Sequence, residues 1–133
     1  MLTRMPTVAD TMSRDLVTVE AAAPLRDAAS RMNERRVGAA LVLDEGRLAG
    51  ILTERDVLRA VAADRVAETT VADWMTSDPE TVEPTDLTGT AAVIMIHGGF
   101  RHLPVVDAGE VVGIVSIRDL MRVVLDDESP RGV

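Results

Sequence analysis

Apolar positions along the chain come in short runs whose period changes from run to run, and each change marks an element. Leu25, Ala28, Ala29 and Met32 stand at i, i+3, i+4 and i+7, the spacing of a helix with one buried stripe. AALVL and RLAGIL follow on either side of DEG, which predicts two strands joined as a hairpin. A three-residue loop ending in glycine suits a type I turn with that glycine left-handed. A second helix opens at Thr53. Ahead of the first helix lie a capped turn over Thr7–Met12 and a brief extended piece, Leu16–Val19. The predicted order is strand, helix, strand, strand, helix.

The same order is then written again. Shifting the chain by 63 residues lays Thr7–Val61 on Thr70–Val124 without a gap, and 21 of the 55 aligned positions are identical. TVADTM meets TVADWM, and Thr18-Val19-Glu20 meets Thr81-Val82-Glu83. Ala91, Ala92 and Met95 repeat the helical stripe, with Gly98-Gly99 as its stop, and HLPVV–DAG–EVVGIV repeats the hairpin. A long period with two copies points to a pseudo-symmetric pair, not a solenoid. The expected fold is α/β of the α+β type, with a small mixed sheet in each repeat. The repeats are expected at 7–65 and 70–125, with a flexible polar tail at 126–133.

The last helix carries Leu120, Met121, Val123, Val124 and Leu125, more than one stripe. It is either buried between the copies or a face for self-association. So small a domain has little interior for five such residues, which favours a homodimer.

Composition narrows the classes of function. The chain is 47% apolar, but it has one Trp, one Phe and no Tyr, so it lacks the stacking platforms of single-strand nucleic-acid binders. A net charge of −8 opposes duplex binding as well. The absence of cysteine excludes disulfides, Cys-ligated zinc and thiol catalysis. No apolar run reaches the ~20 residues of a bilayer span, and MLTRMPTVAD has no signal-peptide core, so a cytoplasmic chain without a membrane partner is expected. His97 and His102 are five apart, the wrong helical spacing for shared ligation, and no metal is expected. Arg26, Arg31, Arg35 and Arg36 crowd the first helix and read as a solvated face.

Chemistry concentrates in two heptads, GILTERD at Gly50–Asp56 and GIVSIRD at Gly113–Asp119. Thr53-x-x-Asp56 and Ser116-x-x-Asp119 have the form of capping boxes, and Gly50 and Gly113 suit a close approach of another backbone. Capping alone leaves Arg55 and Arg118 unexplained, because a cation in the first helical turn opposes the helix dipole. A phosphate at that terminus would account for them, since guanidinium matches phosphate geometry. Each aspartate could then accept from the two hydroxyls of a ribose. Hydroxyl, amide-rich terminus and Arg for phosphate, with Asp for sugar, together describe the polar half of a nucleotide.

The paired heptads, the LPVVD-type strand before them (Leu103–Asp107, with Ala40–Asp44 in copy one) and the Thr-Val segments upstream resemble a tandem pair of CBS domains over essentially the whole chain. The resemblance implies a stand-alone regulatory module that takes AMP, ADP or ATP, or S-adenosylmethionine or NAD, in clefts between the copies, and that acts on an effector protein. It implies ribose at Asp56 and Asp119, and phosphate or sugar at Thr53 and Ser116 with Arg55 and Arg118 nearby. The adenine edge would meet backbone at Thr18-Val19 and Thr81-Val82, with Val37, Ile51 and Ile114 flanking the ring and Phe100 in the place of Val37. Arg101-His102 would face phosphate. Copy one has Gly38-Ala39 there, so the two sites are expected to differ in their hold on phosphate. His102 is equally readable as a histidine satisfying a backbone carbonyl.

No nucleophile–base–orienter set and no Walker-type loop occurs, so catalysis and a catalytic cofactor are not expected. The competing reading is a ligand-independent dimeric scaffold whose Thr/Ser and Asp are helix caps and nothing more.

Overall fold

A computed structural model of the protein describes residues 4–128. Its elements are α1 (Val8–Thr11), β1 (Thr18–Glu20), α2 (Leu25–Arg35), β2 (Ala39–Asp44), β3 (Arg47–Thr53), α3 (Glu54–Ala62), β4 (Thr76–Ser77), α4 (Thr88–Gly98), β5 (His102–Asp107), β6 (Glu110–Ser116) and α5 (Ile117–Glu128). Single 3₁₀ turns at Val66–Glu68 and Val71–Asp73 connect α3 to β4. The chain divides into two units: Asp15–Pro79, and the residues through Arg14 joined to those from Glu80 onward.

In the unit Asp15–Pro79 the strands run β1-β2-β3-β4, with β1 parallel to β2 and the remaining pairs antiparallel. One sheet face and the stripe of α2 form the core, in which Val17, Val19, Leu25, Ala28, Met32, Val42 and Leu52 are buried. Burying a side chain the size of Leu25 or Leu52 contributes about 1.5–3 kcal/mol, and both are fully buried. In the other unit β5 pairs with β6, Val82 bridges in parallel to Val105, and Ser13 bridges antiparallel to Ile114. Those two bridges are the positional counterparts of Val19↔Val42 and Ile51↔Thr76. Val8, Val82, Ala91, Met95, Leu103, Val105, Val115 and Leu120 form its core.

The stretch that opens each repeat therefore completes the unit of the other repeat. Val71 N–H donates to Ala23 O (2.9 Å), and Leu25 N–H donates to Thr69 O (3.0 Å). In the other unit Val8 N–H donates to Asp86 O (2.8 Å), while Ser13 and Ile114 exchange bonds of 2.8 and 2.9 Å. Gly50 and Gly113 make room for this. A Cβ at Gly50 would lie 2.6 Å from Thr76 O and 2.8 Å from Met75 Sδ, and one at Gly113 would lie 2.7 Å from Met12 Sδ and 2.9 Å from Ser13 O.

The hairpin turns differ from expectation. Asp44 pairs with Arg47 and Asp107 with Glu110, which leaves two-residue loops, Glu45-Gly46 and Ala108-Gly109. All four loop residues have positive φ, from 51° to 83°, the signature of a type I′ turn in place of type I. The primed turn matches strand twist, and the repeated bulges after Val42 and Val105 absorb the register change. The helical stop at Gly98-Gly99 is as expected, with Gly99 left-handed at φ 73° and Arg36 playing that part for α2. Helix α5 continues through residues 126–128, the start of the expected tail, whose remainder lies outside the described residues. Of the five apolar residues singled out on the last helix, Leu120 is buried and Met121, Val124 and Leu125 are exposed. Among the described residues no helix is long and apolar enough to cross a membrane, and no group of three or more His, Asp or Glu could hold a metal.

Two measurements test this account. Gly50→Ala and Gly113→Ala should each lower unfolding free energy by about 1–3 kcal/mol in urea titrations, through overpacking, whereas Gly89→Ala, in a helix with open space around it, should raise it by about 0.5–1 kcal/mol. Asp10, held by Arg4 and by the Thr7 amide, has its pKa pulled from 3.8 down to about 2. Its folded value lies below its unfolded one, so its stabilisation is complete above the unfolded value and is lost as pH falls toward about 2. Asp10→Asn should therefore flatten the dependence of melting temperature on pH in that window and leave the neutral side parallel to the parent.

Candidate functional site

Strand β3 ends at Thr53 and β6 at Ser116, and each of these residues is the N-cap of the helix that follows. Thr53 N–H donates to Asp56 Oδ2 (2.9 Å), Thr53 Oγ1 donates to the same oxygen (3.0 Å), and Asp56 N–H donates back to Thr53 Oγ1 (3.3 Å). In the other unit Ser116 N–H donates to Asp119 Oδ2 (2.9 Å) and Asp119 N–H to Ser116 Oγ (3.0 Å). Both heptads are complete capping boxes.

The first amide of each helix is engaged too. Glu54 N–H donates to Gly38 O and Ile117 N–H to Arg101 O, both at 2.9 Å. Two of the first three amides of α3 and of α5 are thus taken within the chain, which narrows the anion-binding terminus expected from sequence. Side chains must supply more of the charge.

Those side chains differ between the units. His102 stands opposite Ser116 in the β5–β6 register, as Ala39 stands opposite Thr53. Arg101, whose carbonyl holds the first turn of α5, is exposed, and His102 is half-buried. Arg101, His102, Ser116 and Asp119 therefore meet at one end of the β5–β6 hairpin, with Arg118 exposed on the first turn of α5. At the counterpart in Asp15–Pro79, Gly38 and Ala39 contribute no charge, and Arg55 is exposed on the first turn of α3.

The apolar candidates divide by sheet face. Thr18, Ile51 and Thr53 alternate with Val17, Val19 and Leu52, so they lie on the face away from the core of Asp15–Pro79. Val19 and Val82 point into their own cores, which leaves only their backbone for recognition. Val37 and Phe100 also pack, partly buried, against those cores. Thr81 is exposed, and Ile114 is half-buried on β6.

A further set of side chains sits at the Asp56 cap. Arg59 Nη1 donates to Asp56 Oδ1 (3.3 Å), and its guanidinium lies 5.7 Å from the centroid of the Trp74 ring. Trp74 Nε1 donates to Thr69 Oγ1 (2.9 Å), which donates to Asp73 Oδ2 (2.7 Å). The Thr70 amide, with the Thr69 and Thr70 hydroxyls, lowers the pKa of Asp73. Two signals in the sequence mark this network: the arginine three residues after the aspartate recurs as Arg122, and Trp74 is the single Trp, standing where copy one has Thr11.

Known proteins share this architecture. The CBS domain model matches residues 8–63 and again 71–126. The CBS domain-containing protein YhcV of Bacillus subtilis is 36% identical over 126 residues, covering 94% of this chain and 90% of that protein. An uncharacterized 17.7 kDa protein of Acidianus ambivalens is 44% identical over 105 residues, and the match spans 77% of this chain but 63% of that protein. Among solved structures, the CBS domain pair of protein MJ0100 in complex with 5′-methylthioadenosine and S-adenosyl-L-methionine superposes with a TM-score of 0.87 at 26% identity, over 93% of this chain and 99% of that one. CBSX2, a CBS-pair protein of Arabidopsis thaliana, in complex with AMP gives a TM-score of 0.80 at 28% identity, over 92% and 98%. With each repeat matched in turn and the fold shared along nearly its full length, this chain belongs to the CBS domain family.

Proposed function

We propose that the protein is a regulatory module without catalytic activity that binds adenosine-containing ligands at its Thr/Ser-x-x-Asp caps. The strongest support is that Arg101 and His102 flank the Ser116–Asp119 cap. One acid is available there for a ribose diol, and the Arg101 guanidinium stands on the same hairpin end for a phosphate. MJ0100 bound to 5′-methylthioadenosine and S-adenosyl-L-methionine, and CBSX2 bound to AMP, support the class of ligand. The lack of charge at Gly38-Ala39 makes the Asp56 site the weaker one for phosphate, suited to AMP or to less charged adenosine compounds rather than ATP. Ligand regulates such a module only by binding one conformation better than another, and the effector is a protein of the cytoplasm. Exposed Val93 and Ile96 on α4, with Met121, Val124 and Leu125 on α5, support self-association as a homodimer.

The second reading, a ligand-independent scaffold, has its own support: both caps are satisfied entirely within the chain. A thermal-shift panel of AMP, ADP, ATP, S-adenosylmethionine and NADH separates the two. Ligand at a hundred times its dissociation constant should stabilise the fold by about 2.7 kcal/mol. Asp119→Ala should lose more phosphate-dependent affinity than Asp56→Ala, and Arg101→Ala should erase much of the preference of the Asp119 site for phosphorylated ligands. No shift with any ligand, in protein stripped of carried-over nucleotide, would favour the scaffold. For assembly, light scattering should give a dimer mass for the parent and a monomer mass for Leu125→Glu; a parent that is monomeric at tens of micromolar would overturn the dimer.

A further inference from the structure

Thr53 supplies two donors to Asp56 Oδ2, and Arg59 occupies the other oxygen. The Asp56 side chain is 9% exposed, against 18% for Asp119. A diol approaching Asp56 therefore competes with Arg59 for Oδ1. That hold is a weak one: the bond is 3.3 Å, the arginine side chain is 61% exposed, and the pair is only three residues apart on one helix. Its second support is the face of Trp74. Trp74 is in turn tied through Thr69 Oγ1 to Asp73, and the Thr69 carbonyl accepts from Leu25 N–H at the start of α2. A continuous path thus runs from the Asp56 carboxylate to the segment Thr69–Ser77, which ends in the strand β4 that closes the sheet.

Among the described residues the other unit has no such path. Thr11 stands at the position of Trp74, and its hydroxyl donates to Asp119 O (3.1 Å) instead of presenting a ring. Arg122 approaches Asp119 no closer than 3.7 Å, beyond hydrogen-bonding distance. The two acids are equivalent in sequence and unequal in their restraint.

We propose that Arg59 is a positioning residue that occupies Asp56 in the empty protein and, when a ligand diol takes its place, leaves Trp74, so that occupancy of this one site is passed to Thr69–Ser77. The inference rests on the adenosine-binding reading above. Ligand affinity at Asp56 includes the release of Arg59, whereas affinity at Asp119 does not. The single Trp is therefore a built-in reporter of one site and silent on the other.

The test is to titrate Asp119→Asn protein, in which only the Asp56 site keeps its acid, with AMP and with adenosine, following calorimetric heat and Trp74 emission together. Heat and a saturable change in emission should share one midpoint. Arg59→Ala in the same background should keep the heat, lose the emission change, and tighten adenosine binding by about fivefold, the worth of one weak ion pair and one exposed cation–π contact. Arg59→Lys should fall between the two. In the reciprocal Asp56→Asn protein, ligand should bind with Trp74 unmoved. Binding that leaves Trp74 unmoved in Asp119→Asn, or an unchanged response in Arg59→Ala, would overturn the coupling and leave the adenosine reading intact. No heat in the parent or in either variant would overturn the adenosine reading and the coupling with it.

Discussion

Strand β3 is held on one side by β2 and on the other by Thr76 and Ser77, and the second contact exists because Gly50 carries no side chain. The same vacancy at Gly113 admits Met12 and Ser13 beside β6. Each strand ends two residues past this approach, at Thr53 opposite Ala39 and at Ser116 opposite His102. The strand ends fix Thr53 and Ser116 as N-caps, and the caps fix the carboxylates of Asp56 and Asp119. A methyl group at either glycine would displace the whole series, because backbone atoms, unlike the tip of a flexible side chain, cannot step aside cheaply.

The capping box is both the bland and the interesting part of this structure. The cap draws on one oxygen of each carboxylate: Oδ2 serves the helix, and Oδ1 faces Arg59 or Arg122. The fold thereby holds each carboxyl group in a fixed orientation and leaves Oδ1 outside the cap. What separates the two acids is their surroundings: Trp74 with Arg59 around one, Arg101 with His102 beside the other. The repeats share the common part, and the residues that differ at a few positions make the difference.

Much of this was legible because local chemistry and tertiary packing agree. The stripe Leu25, Ala28 and Met32 is buried as its spacing predicts, Thr53 caps α3, and Gly99 ends α4 in the left-handed region. The turns were misread because DEG and DAG suit either a three-residue loop or a two-residue one, and only cross-strand pairing decides between them. The partnering of the opening stretches was invisible for a deeper reason. Val8 and Val71 are the same residue in hexapeptides that differ only at Thr11 and Trp74, so these letters do not say which repeat each one completes. Part of the Asp56 network lay outside periodicity altogether: no spacing rule joins residue 59 to residue 74, and a ring over a guanidinium is a contact made by the fold.

Pairing across repeats also sets a timetable. Ile51 meets Thr76 across 25 residues, so Asp15–Pro79 has all its strands soon after β4 leaves the ribosome. Ser13 must wait for Ile114, 101 residues further along, before its own unit can close. During synthesis the stretch around α1 is thus an orphan with a buried valine still to hide, and Asp15–Pro79 matures as an insertion within a partner that is not yet made.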